Sequence, residues 1–334
     1  MKLKFWVIPI IIILIIIGIF IFNNNSKVKS DIIIGYSEDS FGHSPIFVGK
    51  ELGLFEKQGI IVEYVPFSST KYSRQAVSSN QVNLVTGGAN NFIDPISKGI
   101  NIKFIAPMAL APSMAYVRPN DILTLKDLNN TSIATRVDST SGYVLNRILK
   151  ENNLDIQYTY VDIENAYTPL ALVEKKIISA ALKGAEGKEE FFKSGAIILP
   201  EWEEKGYDKR YFLNTSLVVN TDYLEGNPEV VEKFIDGYIE SHRFMVENPD
   251  ETYNLLQKHI NAVNKDIISY SKEEVINSLS LLKFNLWVDL DNFLDYAIYA
   301  QENNLIDVNL TIDDLFDKRF EEKLKNAQYE IYKE

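Results

Sequence analysis

The groups in this chain that could do chemistry are hydroxyls, amides, flexible glycine backbone and a few cations, gathered in three short loops. Residues 37–44 hold Ser37, Phe41, His43 and Ser44; residues 86–90 hold Thr86, Gly87, Gly88 and Asn90; residues 136–142 hold Arg136, Ser139, Thr140, Ser141 and Gly142. Hydroxyls and uncommitted N–H groups beside a histidine or an arginine suit the capture of a small oxyanion. Tyr36, Phe41 and Tyr143 nearby would also suit a flat ring. Each position also has a plainer explanation. Ser139 or Ser141 could simply cap a helix, the glycine pair form a tight turn, Arg136 sit in a surface ion pair and His43 face solvent. With no cysteine, thiol catalysis and disulfides are excluded, and the three histidines, His43, His242 and His259, are too scattered to predict a metal site. No G-x-S-x-G, H-E-x-x-H, G-x-G-x-x-G or P-loop spacing occurs. Binding without catalysis, cofactor or metal is the expectation.

The elements that must position these loops follow from hydrophobic spacing. Residues 32–34 are apolar and strand-like, and deliver the first loop. Ser44 reads as a helix N-cap with Pro45 at the first helical position, where its missing N–H costs nothing. Ile46, Phe47, Leu52 and Phe55 then form one helical stripe, with Gly59 as C-cap before a β-rich run over 60–67. A helix over 70–79 and a buried strand over 82–85 lead into the glycine pair, a helix over 90–98 leaves it, and 100–106 is another strand. A proline-bearing segment, 107–112, and a short β-like run, 114–117, follow as the first crossing to a second β/α series. That series reads as strands at 132–135, 157–161, 177–182 and 196–199, with helices at 141–152, 166–175 and through Glu189 and Phe192. Residues 201–209 are charged and looping, and 212–220 is a long strand carrying the chain back. From Pro228 the pattern is helical nearly to the end, with a capping box at Ser271–Glu274 and helices over 289–304 and 313–333. Each polar loop thus sits at a strand's carboxyl end and a helix's positive end, where α/β folds bind ligands.

A chain of 334 residues is long enough for two lobes with full cores. Its net charge of −12 argues against a nucleic-acid partner. Lys2 and Lys4 precede an uncharged, isoleucine-rich stretch over 5–22 with no small-x-small cleavage pattern before Asn23. The expectation is an uncleaved signal anchor, with a cleaved signal peptide as the alternative; residues 23–30 are a polar tether, and the rest faces outside. The predicted organisation is an anchor and tether over 1–30, a discontinuous first lobe over 31–115 plus 218–334, and a second lobe over 116–217.

The run His43-Ser44-Pro45-Ile46-Phe47-Val48, then Lys50-Glu51-Leu52-Gly53-Leu54-Phe55, Gly59 and Val62-Glu63-Tyr64-Val65 resembles a known family. It is similar to the extracytoplasmic solute-binding proteins of ABC transporters, in the nitrate, sulfonate and taurine branch that includes thiamine-pyrimidine-precursor binders. Further matches are Gln81-Val82-Asn83 before Thr86-Gly87, Asp127-Leu128-Asn129, Ser139-Thr140-Ser141-Gly142-Tyr143, and Phe212 to Ser216 with Asn227-Pro228-Glu229-Val230-Val231. The resemblance spans roughly residues 31–250. It implies a type II periplasmic-binding-protein fold, two β/α lobes joined by a two-strand hinge near 113–120 and 213–220. The ligand would be held between the lobes by the three loops. Where the family tends to have D-A-v-x-x-W-E-P-y, this chain has Ala185, Glu186 and Gly187 in place of the aromatic-acid-proline run. Glu186 keeps the acidic position and joins the implied ligand set, with Lys183 beside it, while the rest of that wall is altered.

The resulting expectation is a monomeric binding component of an ABC importer that captures a sulfonate-, taurine- or nitrate-like oxyanion and delivers it to a permease and its ATPase. A binder of a pyrimidine precursor or other flat heterocycle is the alternative. A pyrimidine-synthase-like enzyme lacks its cysteine-rich motif here, and a sensor ectodomain is a further competitor.

Overall fold

The computed structural model describes residues 30–37, 40–67, 70–163, 168–184, 188–263 and 269–333. The first β/α series builds β1 (Ile32–Ser37), α1 (Ser44–Glu51), β2 (Val62–Phe67), α2 (Thr70–Ser78), β3 (Leu84–Gly87), α3 (Asn90–Ser97) and β4 (Ile102–Ala111). Pro112 turns the chain into the second series, β5 (Ser113–Val117), β6 (Thr131–Ala134), α4 (Thr140–Glu151), β7 (Tyr158–Val161), α5 (Thr168–Val173), β8 (Ala180–Gly184), α6 (Lys188–Lys193), β9 (Ile197–Ile198) and α7 (Pro200–Glu204). The chain returns through β10 (Phe212–Asn220). It ends in α8 (Thr221–Gly226), α9 (Pro228–Glu247), α10 (Pro249–Val263), α11 (Lys272–Ser280), β11 (Lys283–Phe284), α12 (Asp291–Glu302), α13 (Ile312–Leu315) and α14 (Glu321–Tyr332).

Two sheets result. The first is ordered β11-β4-β10-β3-β1-β2 and the second β7-β6-β8-β5-β9. The β1–β2 and β1–β3 pairs are parallel, as are β6–β7 and β6–β8. The strands that follow the two crossings are the antiparallel intruders: β10 runs against β3 and β4, and β5 against β8 and β9. All parallel strands of a lobe therefore end on one edge, and the polar loops lie on those two edges.

Period-two alternation fills both faces of the first sheet, as a sheet sandwiched by helices requires. Ile32, Ile34, Leu84, Leu217 and Val219 pack with Phe55, Phe234 and Tyr238 on one side, where the Phe55 and Phe234 rings stack at 4.5 Å. Val85, Val218, Phe92 and Phe104 face the other side, in a core that continues through Phe293 and Tyr296 of α12 into the second lobe's Ile133, Val144 and Leu145. Trp202, fully buried, donates its indole N–H to the Ser113 carbonyl at 3.0 Å, pinning the first strand of the second lobe.

Several elements differ from the sequence expectation. The first helix ends at Glu51, because Gly53 takes a left-handed φ of +62° and Leu54 N–H bonds back to the Gly49 carbonyl at 2.8 Å. Gly59, also left-handed, ends only a 3-10 turn over Glu56–Gln58. β4 runs on past residue 106 to Ala111, with Pro107 tolerated where the β10 pairing slips register. Residues 201–209 contribute to α7 and a 3-10 turn, Tyr207–Lys209, and the terminal helix is interrupted by Lys318–Phe320. β11 had no sequence signal. Among the described residues no helix is long and apolar enough to cross a membrane; the expected anchor over 5–22 lies outside them.

Candidate functional site

Ser37 closes β1, half-buried, and a 3-10 turn over Phe41–His43 feeds α1. Phe41 points inward, its ring edge-on to Tyr270 at 5.8 Å. His43 is only 4% exposed and its Nδ1 lies 2.5 Å from the Thr86 hydroxyl, which is 1% exposed. The first two loops are thus tied together inside the first lobe. Ser44 does not cap α1: its hydroxyl donates to the Phe41 carbonyl at 2.6 Å, and His43 holds the cap position without a side-chain bond. Gly87 ends β3 and Gly88 begins the turn into α3, where a Cβ would stand 2.9 Å from the Asn91 amide and 3.4 Å from the Asn214 carbonyl.

The third loop is built by capping. Ser139 is the N-cap of α4: its hydroxyl accepts from Gly142 N–H at 3.0 Å, donates to the Arg136 carbonyl at 2.7 Å and lies 3.0 Å from the Thr135 hydroxyl. Ser141 is buried, 3.4 Å from the Ser113 hydroxyl at the crossing. The loop then reaches the other lobe. Asn90 donates to the Asp138 carbonyl and accepts from the Thr140 hydroxyl at 2.8 Å, and Arg136 donates to the Asn91 side-chain oxygen at 3.0 Å while pairing with Asp138 at 3.1 Å. The two edges are therefore sewn together by α3 on one side and the loop before α4 on the other.

Of the expected set, Phe41, His43, Ser44 and Thr86 converge in the first lobe, and Asn90, Arg136, Ser139, Thr140 and Gly142 converge between the lobes. Glu186 lies outside the described residues. Lys183, near the carboxyl end of β8, is driven down to a pKa of about 8 by burial, helped by Arg136 and opposed by Asp162. Three neighbours carried no sequence signal. Asn91 looked like ordinary helix interior, and Asn214 belonged to a strand. Tyr270 is brought to Phe41 and to Glu190 of α6 only by the folding of the helical C-terminal part. Burial raises the Glu190 carboxyl pKa, and the Tyr270 hydroxyl, donating to it, opposes that rise. Tyr116 stacks on Phe191 at 3.9 Å, its hydroxyl without a hydrogen-bond partner among the described residues. Among the described residues no cluster of three or more histidine, aspartate or glutamate side chains could hold a metal ion.

Two β/α lobes, two crossing strands and polar loops on facing strand edges are the architecture of the periplasmic binding proteins. The chain belongs to the NMT1/THI5-like family, whose model matches residues 40–252. A formylaminopyrimidine-binding protein of Halalkalibacterium halodurans is 26% identical, with 72% of each chain covered. Among solved structures, the ligand-binding component of an ABC-type import system from Staphylococcus aureus, with zinc bound, superposes with a TM-score of 0.72 at 16% identity, covering 88% of this chain and 98% of that one. The periplasmic aliphatic sulphonate binding protein of Escherichia coli gives 0.66 at 17% identity, covering 85% and 90%. The periplasmic nitrate-binding protein of Synechocystis PCC 6803 gives 0.66 at 12%, covering 89% and 88%. At these identities the structural likeness is one of fold.

Proposed function

We propose that this chain is the extracytoplasmic solute-binding component of an ABC importer, which closes its lobes on a small solute and hands it to a membrane permease and its ATPase. The observation that carries this reading is the seam of Asn90 and Asn91 with Arg136, Asp138 and Thr140, which unites the two strand edges at the loops where a solute would touch both lobes. The protein works as a monomer outside the cytoplasmic membrane, held by its N-terminal apolar segment or released from it, and performs no catalysis. Its moving parts are the lobes expected at 31–115 plus 218–334 and at 116–217, with the exchange points moved to Pro112 and Phe212, since β5 pairs wholly within the second sheet and β10 wholly within the first.

The geometry favours a flat, pyrimidine-like heterocycle as ligand. The hydroxyls of Ser44, Ser139 and Thr140, which an oxyanion would need as donors, are engaged within the protein. The formylaminopyrimidine-binding relative points the same way. The oxyanion expected from the sequence is the second reading, favoured by Lys183 and Arg136 at the second lobe's edge, since an anion beside Lys183 would restore its charged form. A thermal-shift panel followed by calorimetry decides: aminopyrimidines should raise the melting temperature, and taurine, alkanesulfonates and nitrate should not. The converse result selects the oxyanion. Silence from both classes, with a scattering profile that no solute changes, would sink the binding reading.

A further inference from the structure

The lobes are joined a second time, outside the seam of α3 with the loop before α4. On α6 of the second lobe, Glu190 and Lys193 stand one turn apart on one helix face. Opposite them, the segment that opens α11 presents Tyr270, whose hydroxyl donates to the Glu190 carboxylate, and Glu274, which accepts from Lys193. That segment is rigidly mounted. Asn261 of α10 clasps Tyr270 from both sides, accepting from its N–H at 2.7 Å and donating to its carbonyl at 2.8 Å, and Gln257 adds a donor to that carbonyl at 3.0 Å. Ser271 and Glu274 form a capping box, so the carboxylate that meets Lys193 is oriented by its own helix start. Through the edge-on contact of Tyr270 with Phe41, the same segment touches the turn that carries His43.

A different kind of seam lies beside the returning strand. There Tyr296 of α12 donates to the Leu213 carbonyl at 2.5 Å, its ring packs on Tyr143 of α4 at 4.5 Å, and Arg147 pairs with Asp295 at 3.0 Å. That seam includes buried aromatic surface at the crossing, where a hinge moves least. The α6 seam holds two polar contacts between side chains, Tyr270 with Glu190 and Lys193 with Glu274. We propose that Tyr270–Glu190 and Glu274–Lys193 form a latch that sets the opening equilibrium of the lobes, with the α12–α4 contact as its pivot. The latch rests on the solute-binding reading for its purpose, because the factor by which it favours closure is the factor by which it gates that site. Its operation needs no solute.

The absence of cysteine allows a clean test in the full chain. Lys57→Cys on the first lobe and Lys126→Cys on the second, both exposed, take a dye pair for single-molecule energy transfer without added solute. Tyr270→Phe, which leaves the half-buried Glu190 carboxylate without its hydroxyl donor, should raise the open-to-closed ratio about fivefold or more. Lys193→Glu should raise it about twofold to fivefold, whereas Lys193→Arg, which keeps a cation opposite Glu274, should leave it unchanged. Thermal melting reports the fold separately, and Tyr270→Phe keeps the test decisive if Lys193→Glu folds poorly. Unchanged transfer distributions in Tyr270→Phe, or a Lys193→Glu variant that melts normally with closure unaltered, would overturn the latch. Because no solute enters the measurement, failure to find a ligand leaves this test standing.

Discussion

Gly142 is the position where the interlobe loop has least room. It is the third residue of α4, and a Cβ there would stand 2.2 Å from the Arg136 carbonyl oxygen and 3.0 Å from that of Val137. Cβ atoms essentially never approach closer than 3.0 Å, so Gly142→Ala requires the Arg136 carbonyl to retreat. That carbonyl is held by the Ser139 hydroxyl at 2.7 Å and the Ser139 N–H at 3.1 Å, the bonds that close the turn before the helix. Losing both costs roughly 2 kcal/mol, and the residual crowding about 1–3 kcal/mol. Alanine's helix preference over glycine returns up to about 1 kcal/mol. The net loss is therefore about 2–4 kcal/mol against a total stability on the order of 5–15 kcal/mol. The variant should fold, with a urea midpoint clearly lowered at unchanged slope. The same displacement draws Arg136, Asp138 and Thr140 away from Asn90 and Asn91, so lobe closure should weaken in parallel. A loss below about 0.5 kcal/mol, the range of an inconsequential surface change, together with unaltered closure, would refute the claim that this loop is rigidly built.

Three further outcomes are expected. Thr86→Val and His43→Ala, combined in a double-mutant cycle on unfolding free energy, should show a coupling of about 1–2 kcal/mol, since the bond between them is buried; additivity would mean it contributes nothing. Burial takes the Lys183 pKa from its ordinary 10.5 down to about 8. Between these values the unfolded chain binds the extra proton, so stability should rise with pH across that window and the rise should vanish in Lys183→Met; a rise that survives the substitution assigns it elsewhere. His242 is fully buried, its Nδ1 2.7 Å from the Tyr332 hydroxyl, and burial takes its pKa from 6.5 to about 3. The unfolded chain gains that proton first as pH falls, so stability should drop from about pH 6.5 downward, and His242→Phe should flatten this part of the acid-unfolding profile; an identical profile in the variant would show that other groups carry it.

What the sequence made legible follows from which forces are local. β10, α9 and the Ser271 capping box stand where alternation, Pro228 and the S-x-x-E spacing put them, because each is specified by residues within the element. The apolar stripe through Leu52 and Phe55 predicts a longer first helix than the one that forms, because the stripe outlasts the helix itself. Phe55 reaches the same core from a turn, and Gly53 decides the stop through a backbone angle that hydrophobicity does not report. Pro107 looked like a break because proline removes a ladder donor, yet a register shift in the β10 pairing accommodates it.

The loops are legible in the sequence and their pairings are not, for a related reason. A hydroxyl or amide at a strand's carboxyl end and a helix's start is suited to an anion, to its own helix cap and to the opposite lobe alike. Ser139 is spent on the cap, Asn90 on the opposite lobe, and His43 and Thr86 on one another. For Asn90 the distance between lobes decides, and that distance is set by contacts remote in sequence, such as Tyr270 with Glu190. The interlobe bonds of Asn90 can form only when the lobes approach, so they stabilise closure rather than either lobe alone. A solute that competes for the Asn90 amide must therefore return contacts to both Asn90 and the loop before α4, or it opens the cleft that it enters. Selectivity in such a site comes from replacing the bonds between the lobes, and the residues to vary first are those that make them: Asn90, Asn91, Arg136 and Thr140.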